Sequence, residues 1–418
     1  MKFYPRHIVG VRPRDFFNIA LKNLMVHQFL KGEDVFRFEK EFSEFIGTKH
    51  SIAISQARVG LILILKSLDL HPGDEIIVSA YNFHIIPECI MKLGLVPVFV
   101  DCRIDNYTID VDLILSKITN RTRAIIVTHI FGQPADMDAI VSIAREKGLK
   151  VIEDCAHALG AQYNGKRIGG LGDASIFSFG TGKNLPCFGG GMVTTNDGVL
   201  FKKIEMNILL SKPPSLGPVL KKIIETFISY LLTAEPVFTL FTFPIIKVLN
   251  IFDMDIMDFE KKENIPDALV SGLRGLPLRI ANIQAAYGSK QLKDLDSRNC
   301  KRIENAKLFN KLLGLTKSLS LPSMISGQQS VFTYFYINVK QRYLFRKQLL
   351  KRGVDTSKKS FIFNCSSHPD FRRYASNSPV AQALEDSLIE IPNNNCLGEY
   401  DIRRICNVIE NSVNACYD

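Results

Sequence analysis

The chain has 418 residues, 46% of them hydrophobic, and a mean hydropathy near zero, so a large core, two domains and a mostly soluble polypeptide are expected. Lys and Arg outnumber Asp and Glu by 52 to 42, a net charge of +10 that suits a nucleotide, a phosphate or an acidic membrane surface, or else simply a solvated basic surface. The nine cysteines are odd in number and form no CxxC pair or Cys/His cluster, which argues against a disulfide framework and a metal centre.

The opening MKFYPRHIVGVRPRD holds no apolar h-region, and with free thiols this predicts a reducing, cytoplasmic compartment. Residues 1–33 read as an N-terminal arm. DVFRFEKEFSEFIG is the first strong helix, with Val35, Phe36, Phe38, Phe42 and Ile46 as its apolar positions and Gly47 as its stop. HSIAIS follows as a strand. VGLILILKSL is apolar on all sides, which predicts a buried helix. PGDEIIVSA turns into a strand, IPECIMKLG is a helix, and VPVFVD is the next strand. A helix is predicted over 111–118, a strand over 123–130 and a helix over 137–147. KVIED, SIFSF and GGMVTTN complete a series of short β-rich runs.

Strands separated by helices predict βαβ units, hence an α/β fold with a mainly parallel central sheet covered by helices. Ligands gather at the carboxyl ends of such strands. Asp154, Ser178 and Lys183 all fall there. Residues 213–265 form an apolar insertion with five prolines up to Pro244. From Leu278 to Leu313 a helical pattern predicts one long helix joining the large domain, 34–277, to a small α+β C-terminal domain within 278–418. TYFYINV reads as a strand of that second unit.

Three neighbouring groups carry chemistry. VIEDCAHALGA puts Asp154 at a strand end with His157 close behind. SIFSFGTGKNL puts Ser178 and Lys183 in a glycine-bearing turn, and FGGGMVTT follows at once. An amine that can hold an aldehyde, a carboxylate for a pyridine nitrogen and donors for a phosphate are the parts that pyridoxal 5'-phosphate (PLP) chemistry needs. Each residue also has a plainer use. Asp154 suits a helix N-cap, Ser178 can bond its own turn, His157 and Phe83 can be core, and a lysine in a turn is usually a surface residue.

FGQPADMDAI, VIEDCAHALGAQYNGKRIG, FSFGTGKNL and the glycines after it match, in order and spacing, the DegT/StrS family of PLP-dependent sugar aminotransferases. The chain resembles that family from about residue 32 to 211 and again from 272 onward. The resemblance implies the type I aminotransferase fold, with 34–277 as the PLP-binding domain. It implies Lys183 as the Schiff-base lysine (an internal aldimine), Asp154 paired with the pyridinium and His157 beside the phenolic oxygen. Ser178 would hold the phosphate, and Phe83 would stack on the ring. It also implies a homodimer, with glutamate or glutamine as amino donor and a nucleotide-linked keto-sugar as acceptor. Nucleic acid is not an expected partner.

The chain departs from the family in three places. Ala57-Arg58 replaces the usual Gly-Thr of a phosphate-binding turn, where helix N–H groups and Arg58 could still hold phosphate. Pro277, in GLPLR, replaces an asparagine that reaches the partner subunit's phosphate. The insertion 213–265 is longer and more apolar than usual. Its two uncharged runs, broken at Glu235-Pro236, are each shorter than the ~20 apolar residues a span needs. With lysines nearby they suit either an in-plane contact with the inner face of a membrane or packing on a partner subunit or over the site. Other readings are a sugar dehydratase on the same scaffold, which Lys183 argues against, a non-catalytic regulatory or scaffold relative, and an enzyme with a lipid-like acceptor.

Overall fold

Seven of the predicted β-rich runs assemble into one sheet in the computed structural model, which describes residues 2–23, 25–252, 254, 265–273, 275–358 and 360–417. The order across the sheet is His50–Ile54, Gly191–Thr195, Ala174–Ser178, Lys150–Asp154, Thr122–Thr128, Glu75–Ser79 and Val96–Val100. All run parallel except Gly191–Thr195, which is antiparallel to both neighbours. Glu75–Ser79 is buried along its whole length, as a central strand covered on both faces must be. The Ala57–Ser67 helix lies against the sheet with Leu61, Ile62, Leu63 and Ile64 fully buried, which accounts for its lack of a polar face.

A second, three-stranded antiparallel sheet joins Leu319–Ser320, Phe335–Val339 and Leu388–Ile391. Phe309, Phe335, Ile337, Phe345, Ile389 and Ile405 fill its core. The arm is tied to this unit by Arg6, whose guanidinium donates twice to Asp355 at 2.9 Å.

Two expectations are corrected. Phe36 is 65% exposed rather than on the apolar face. It sits about 100° round the Asp34–Ile46 helix from Val35, away from the buried stripe of Val35, Phe38, Phe42 and Ile46. The Arg279 guanidinium covers its ring at 5.4 Å. The single helix predicted over Leu278 to Leu313 is two, Asn282–Leu292 and Leu295–Leu313. Asp294 leaves helical geometry at the break, and Arg12 of the arm pairs with its carboxylate at 2.5 Å.

The insertion folds into the Leu216–Thr233 helix and, after a π-helical turn, the Phe243–Ile251 helix. Helices Leu216–Thr233 and Phe238–Ile251 meet at 77°. Residues 253 and 255–264 of the insertion lie outside the described residues. Among the described residues no single helix is long and apolar enough to cross a membrane, although this bent pair passes on length and composition.

Candidate active site

Lys150–Asp154 and Ala174–Ser178 lie side by side and parallel, so Asp154 and Ser178 arrive together at the carboxyl edge of the sheet. Lys183 follows in a turn closed by its own N–H donating to Gly180 O (3.0 Å) and by Cys187 N–H donating to Phe179 O (3.0 Å). A Cβ on Gly180 would stand 3.7 Å from Ser178 Oγ and 3.9 Å from Lys183 Cγ, so the two side chains share this small space. Gly180 N–H makes a long 3.5 Å bond to Ser178 Oγ.

Asp154 is buried, and Ala156 N–H donates to its Oδ1 at 3.0 Å. Burial pushes its carboxyl pKa up, against the opposing pull of the Ala156 bond, Lys183 and His129. An ionised Asp154 therefore gains from a cation placed beside it. His157 is buried too, and its pKa lies well below the usual imidazole value, first because of burial and then because of Lys183. Phe131 N–H donates to His157 Nδ1 at 3.4 Å, which leaves the neutral ring's proton on Nε2.

Two residues that sequence reading passed over organise the site. Lys183 Nζ lies 5.7 Å from the ring centres of both Tyr334 and Phe361. His157 meets the same rings edge-on at 5.0 and 5.4 Å. Tyr334 lay within a run read only as a strand, and its aromatic alternation was the available signal. Phe361 had no local signal. It arrives because Ile362–Asn364 pairs with Tyr81–Phe83, which also brings Phe83 within 6.3 Å of Phe361.

Ala57 and Arg58 form the first turn of the Ala57–Ser67 helix, where the N-cap Gln56 makes no side-chain cap. Gly191 explains the glycine run: a Cβ there would fall 2.5 Å from Phe177 O and 2.9 Å from Ala57 N, so only glycine admits the helix N-terminus.

The residues fit PLP on structural grounds. Asn82 Nδ2 is fully buried without a partner, while Asn82 Oδ1 accepts from Thr128 Oγ1, whose strand position faces Asp154. An unpartnered donor, a carboxylate, an amine and a helix N-terminus without a side-chain cap are the kinds of group the cofactor needs. The buried trio His129, Glu153 and Cys155 has metal-like spacing. Its partners are already supplied by the protein: Ala135 N–H donates to His129 Nδ1, His129 Nε2 pairs with Glu153, and Glu153 accepts from the N–H groups of Gly169, Leu171 and Gly172.

Sheet order, strand-end chemistry and the small antiparallel unit together define the type I fold of PLP-dependent transferases. The chain belongs to the DegT/DnrJ/EryC1/StrS aminotransferase family, whose model matches residues 14–214 and 246–410. The unmatched stretch between them holds the first insertion helix and the turn after it.

The chain is 43% identical to the spore coat polysaccharide biosynthesis protein SpsC of Bacillus subtilis (strain 168), over 42% of this chain and 45% of that one. It is 29% identical to the dTDP-3-amino-3,6-dideoxy-alpha-D-galactopyranose transaminase of Aneurinibacillus thermoaerophilus, over 91% and 90%. The match thus spans less than half the length of the first relative and nearly all of the second. Among solved structures, S. venezuelae DesV in complex with a ketimine intermediate superposes with a TM-score of 0.76 and 26% identity, over 96% of this chain and 94% of that one. An aminotransferase from Psychrobacter cryohalolentis gives 0.79 at 23% identity, over 98% and 99%, and shows the fold.

Proposed function

We propose that this chain is a PLP-dependent aminotransferase that moves the amino group of glutamate or glutamine to a keto-sugar carried on a nucleotide. The observation that carries the reading is Lys183 set among Asp154, Ser178 and His157 at the carboxyl edge of a parallel sheet. The sugar transaminases among its relatives support the acceptor class. PLP, when bound, supplies an aldehyde that takes up an amine and a ring that accepts the electron pair released at the donor carbon.

The chain's own residues do the rest. Lys183 Nζ holds the cofactor and, once displaced, takes the proton from the donor's α-carbon. Asp154 keeps the ring nitrogen protonated by charge pairing. His157, with its proton on Nε2, would donate to the cofactor's phenolic oxygen, Phe83 would supply an aromatic surface for its ring, and Ser178 with the Ala57-Arg58 helix start would hold its phosphate. PLP added to the purified protein is expected to give a visible absorbance band that Lys183→Ala lacks. Borohydride should fix the cofactor to the Lys183 peptide, and glutamate should bleach the band. A band that survives in Lys183→Ala would overturn the reading.

The reading includes the division into an arm (1–33), a large domain (34–277) and a small domain (278–418), and a homodimer in the cytoplasm. All nine cysteines are free, which supports a reducing compartment. Pro277 has no N–H and no polar side chain, so the partner's phosphate contact falls to another group. The insertion supports peripheral contact with a membrane. Its outward residues Leu220, Ile224, Ile228, Phe241 and Ile251 are exposed, while Thr226, Thr233 and Thr242 face inward and are buried. An apolar outward face also favours a lipid-linked acceptor as the second reading of the substrate.

A further inference from the structure

A small cavity of about 20 Å³ opens beside Lys183, between the arm and the small antiparallel unit. Its walls include Lys183, Gly182, Arg302, Thr333, Asn393 and Asn394. Three of these side chains bring polar atoms that are buried and unpartnered: Thr333 Oγ1, Asn393 Oδ1 and Asn394 Nδ2. All three residues are more than nine-tenths buried. Buried polar atoms left in this state cost stability unless something else pairs with them.

Arg302 is the stronger anomaly. It is 7% exposed, and its Nη1 donates to Asn299 Oδ1 at 3.2 Å. The charged groups that bear on it are Arg298, Cys396 and Tyr334, with no carboxylate among them. Burial first, and Arg298 second, pull its pKa down to about 10. A buried cation without a counterion is costly, and the cost is relieved by an anion that arrives with a ligand. Of the other charged groups on the cavity wall, Arg6 pairs with Asp355, Glu390 lies 3.5 Å from a His7 whose burial lowers its pKa to about 4, and Lys183 is the amine of the candidate site.

We infer that Arg302, with Asn394 and Thr333, forms the subsite for a carboxylate of the amino donor. This rests on the proposed function, since it gives the donor its place beside Lys183. The size of the cavity selects among anions. It has room for one or two water-sized groups, taking about 10–15 Å³ for each, which matches the two oxygens of a carboxylate and not a nucleoside diphosphate. The cofactor's phosphate is assigned elsewhere, because Ser178, Ala57 and Arg58 do not line this cavity. A carboxylate here would accept from the Arg302 fork and from Asn394 Nδ2 and Thr333 Oγ1, satisfying the orphaned donors together.

The test uses the PLP-loaded full chain and glutarate, a dicarboxylate that carries no amine. Wild type, Arg302→Gln, Asn394→Ala and Thr333→Val are titrated by calorimetry, and PLP loading is read separately from the visible band. Arg302→Gln is expected to keep the band and to weaken glutarate by about 30-fold or more. Thr333→Val, which keeps shape, is expected to weaken it by about 5-fold. The KM for glutamate should rise in parallel with kcat little changed. Unaltered glutarate binding in folded, PLP-loaded Arg302→Gln and Thr333→Val would overturn the subsite and leave the functional reading standing. Inorganic phosphate competing as well as glutarate would overturn the assignment to a carboxylate. Failure of the wild type to take up PLP, seen from absorbance alone, would remove the functional reading and this inference with it.

Discussion

Tyr334 holds the Lys183 turn from two directions: its hydroxyl donates to Gly182 O at 3.1 Å, and its ring centre lies 5.7 Å from Lys183 Nζ. Tyr334 immediately precedes the Phe335–Val339 strand of the small antiparallel sheet, so the position of the amine depends on how that unit packs against the large one. Tyr334→Phe removes the bond and keeps the ring. The expected result is a PLP affinity about 5-fold weaker, the worth of one neutral hydrogen bond. Tyr334→Leu removes both and should be weaker again. Titration of the visible band with PLP measures both variants.

Asp154 joins function to stability with opposite signs. Burial raises its carboxyl pKa in the PLP-free protein, so the folded chain holds that proton more tightly than the unfolded chain. The contribution of this group to stability is therefore greatest at acid pH. It declines as pH rises from about 3.9, the ordinary carboxylate value, through the raised value of the folded state. Asp154→Asn is expected to raise the Tm of the PLP-free protein at neutral pH, and the gain should vanish at acid pH. The same variant should slow amino transfer by about 10²–10³-fold through loss of charge stabilisation. Thermal melts across pH and single-turnover rates with glutamate check the two halves.

Much of this was legible in the sequence because period and chemistry agreed locally. Val35, Phe38, Phe42 and Ile46 mark one helix face, and the all-apolar Leu61–Leu65 run states its own burial. Asp154 and Ser178 close two strands whose ends a parallel sheet must bring together. The parts that sequence missed depend on distant pairing. Phe361 reaches Lys183 because its neighbours add a strand to Tyr81–Phe83. Arg302 sits on a helix whose polar pattern looks solvent-facing, and only tertiary packing buries it. The expected single helix failed at Asp294, which the arm's Arg12 captures from far along the chain. Where the apolar residues of the insertion point was also hidden, because a helix with few charges has no readable polar side.

The arm depends on one buried pair. Arg6 is 6% exposed, Asp355 is fully buried, and two of their bonds are 2.9 Å long. Arg6→Ala would leave the carboxylate buried and unpaired, which costs about 3–5 kcal/mol. Chemical denaturation should show that loss. Because Arg6 also lines the cavity beside Lys183, the variant should loosen glutarate binding even under conditions where the rest of the chain stays folded.

The outward face of the insertion yields the last prediction. Thr226, Thr233 and Thr242 are buried, and Thr226 Oγ1 lies 3.4 Å from Thr181 Oγ1 in the lysine turn. Ile224, Ile228 and Leu231 are 57%, 52% and 55% exposed on the same helix. Apolar residues exposed on a helix that also buries Val219 and Ile223 ask for an apolar partner outside. The stacked pair Phe17–Phe227 carries the apolar surface onto the Pro13–Lys22 helix of the arm, where Leu21 is exposed, as is Met25 just beyond its end. Lys221 and Lys222 lie near one end, partly offset by Glu225, and Lys247 lies on the second helix. Together with the net charge of +10 this favours an anionic bilayer. Exposed positions cost the fold little when made polar. The triple change Ile224→Ser, Ile228→Ser and Leu231→Ser should therefore keep the PLP band. It should also lower co-flotation with vesicles of equal parts phosphatidylcholine and phosphatidylglycerol by about tenfold or more, since each side chain offers up to about 1.5–3 kcal/mol of burial. If flotation is unchanged while the mass in solution falls to that of a single chain, the face joins two copies of this protein instead.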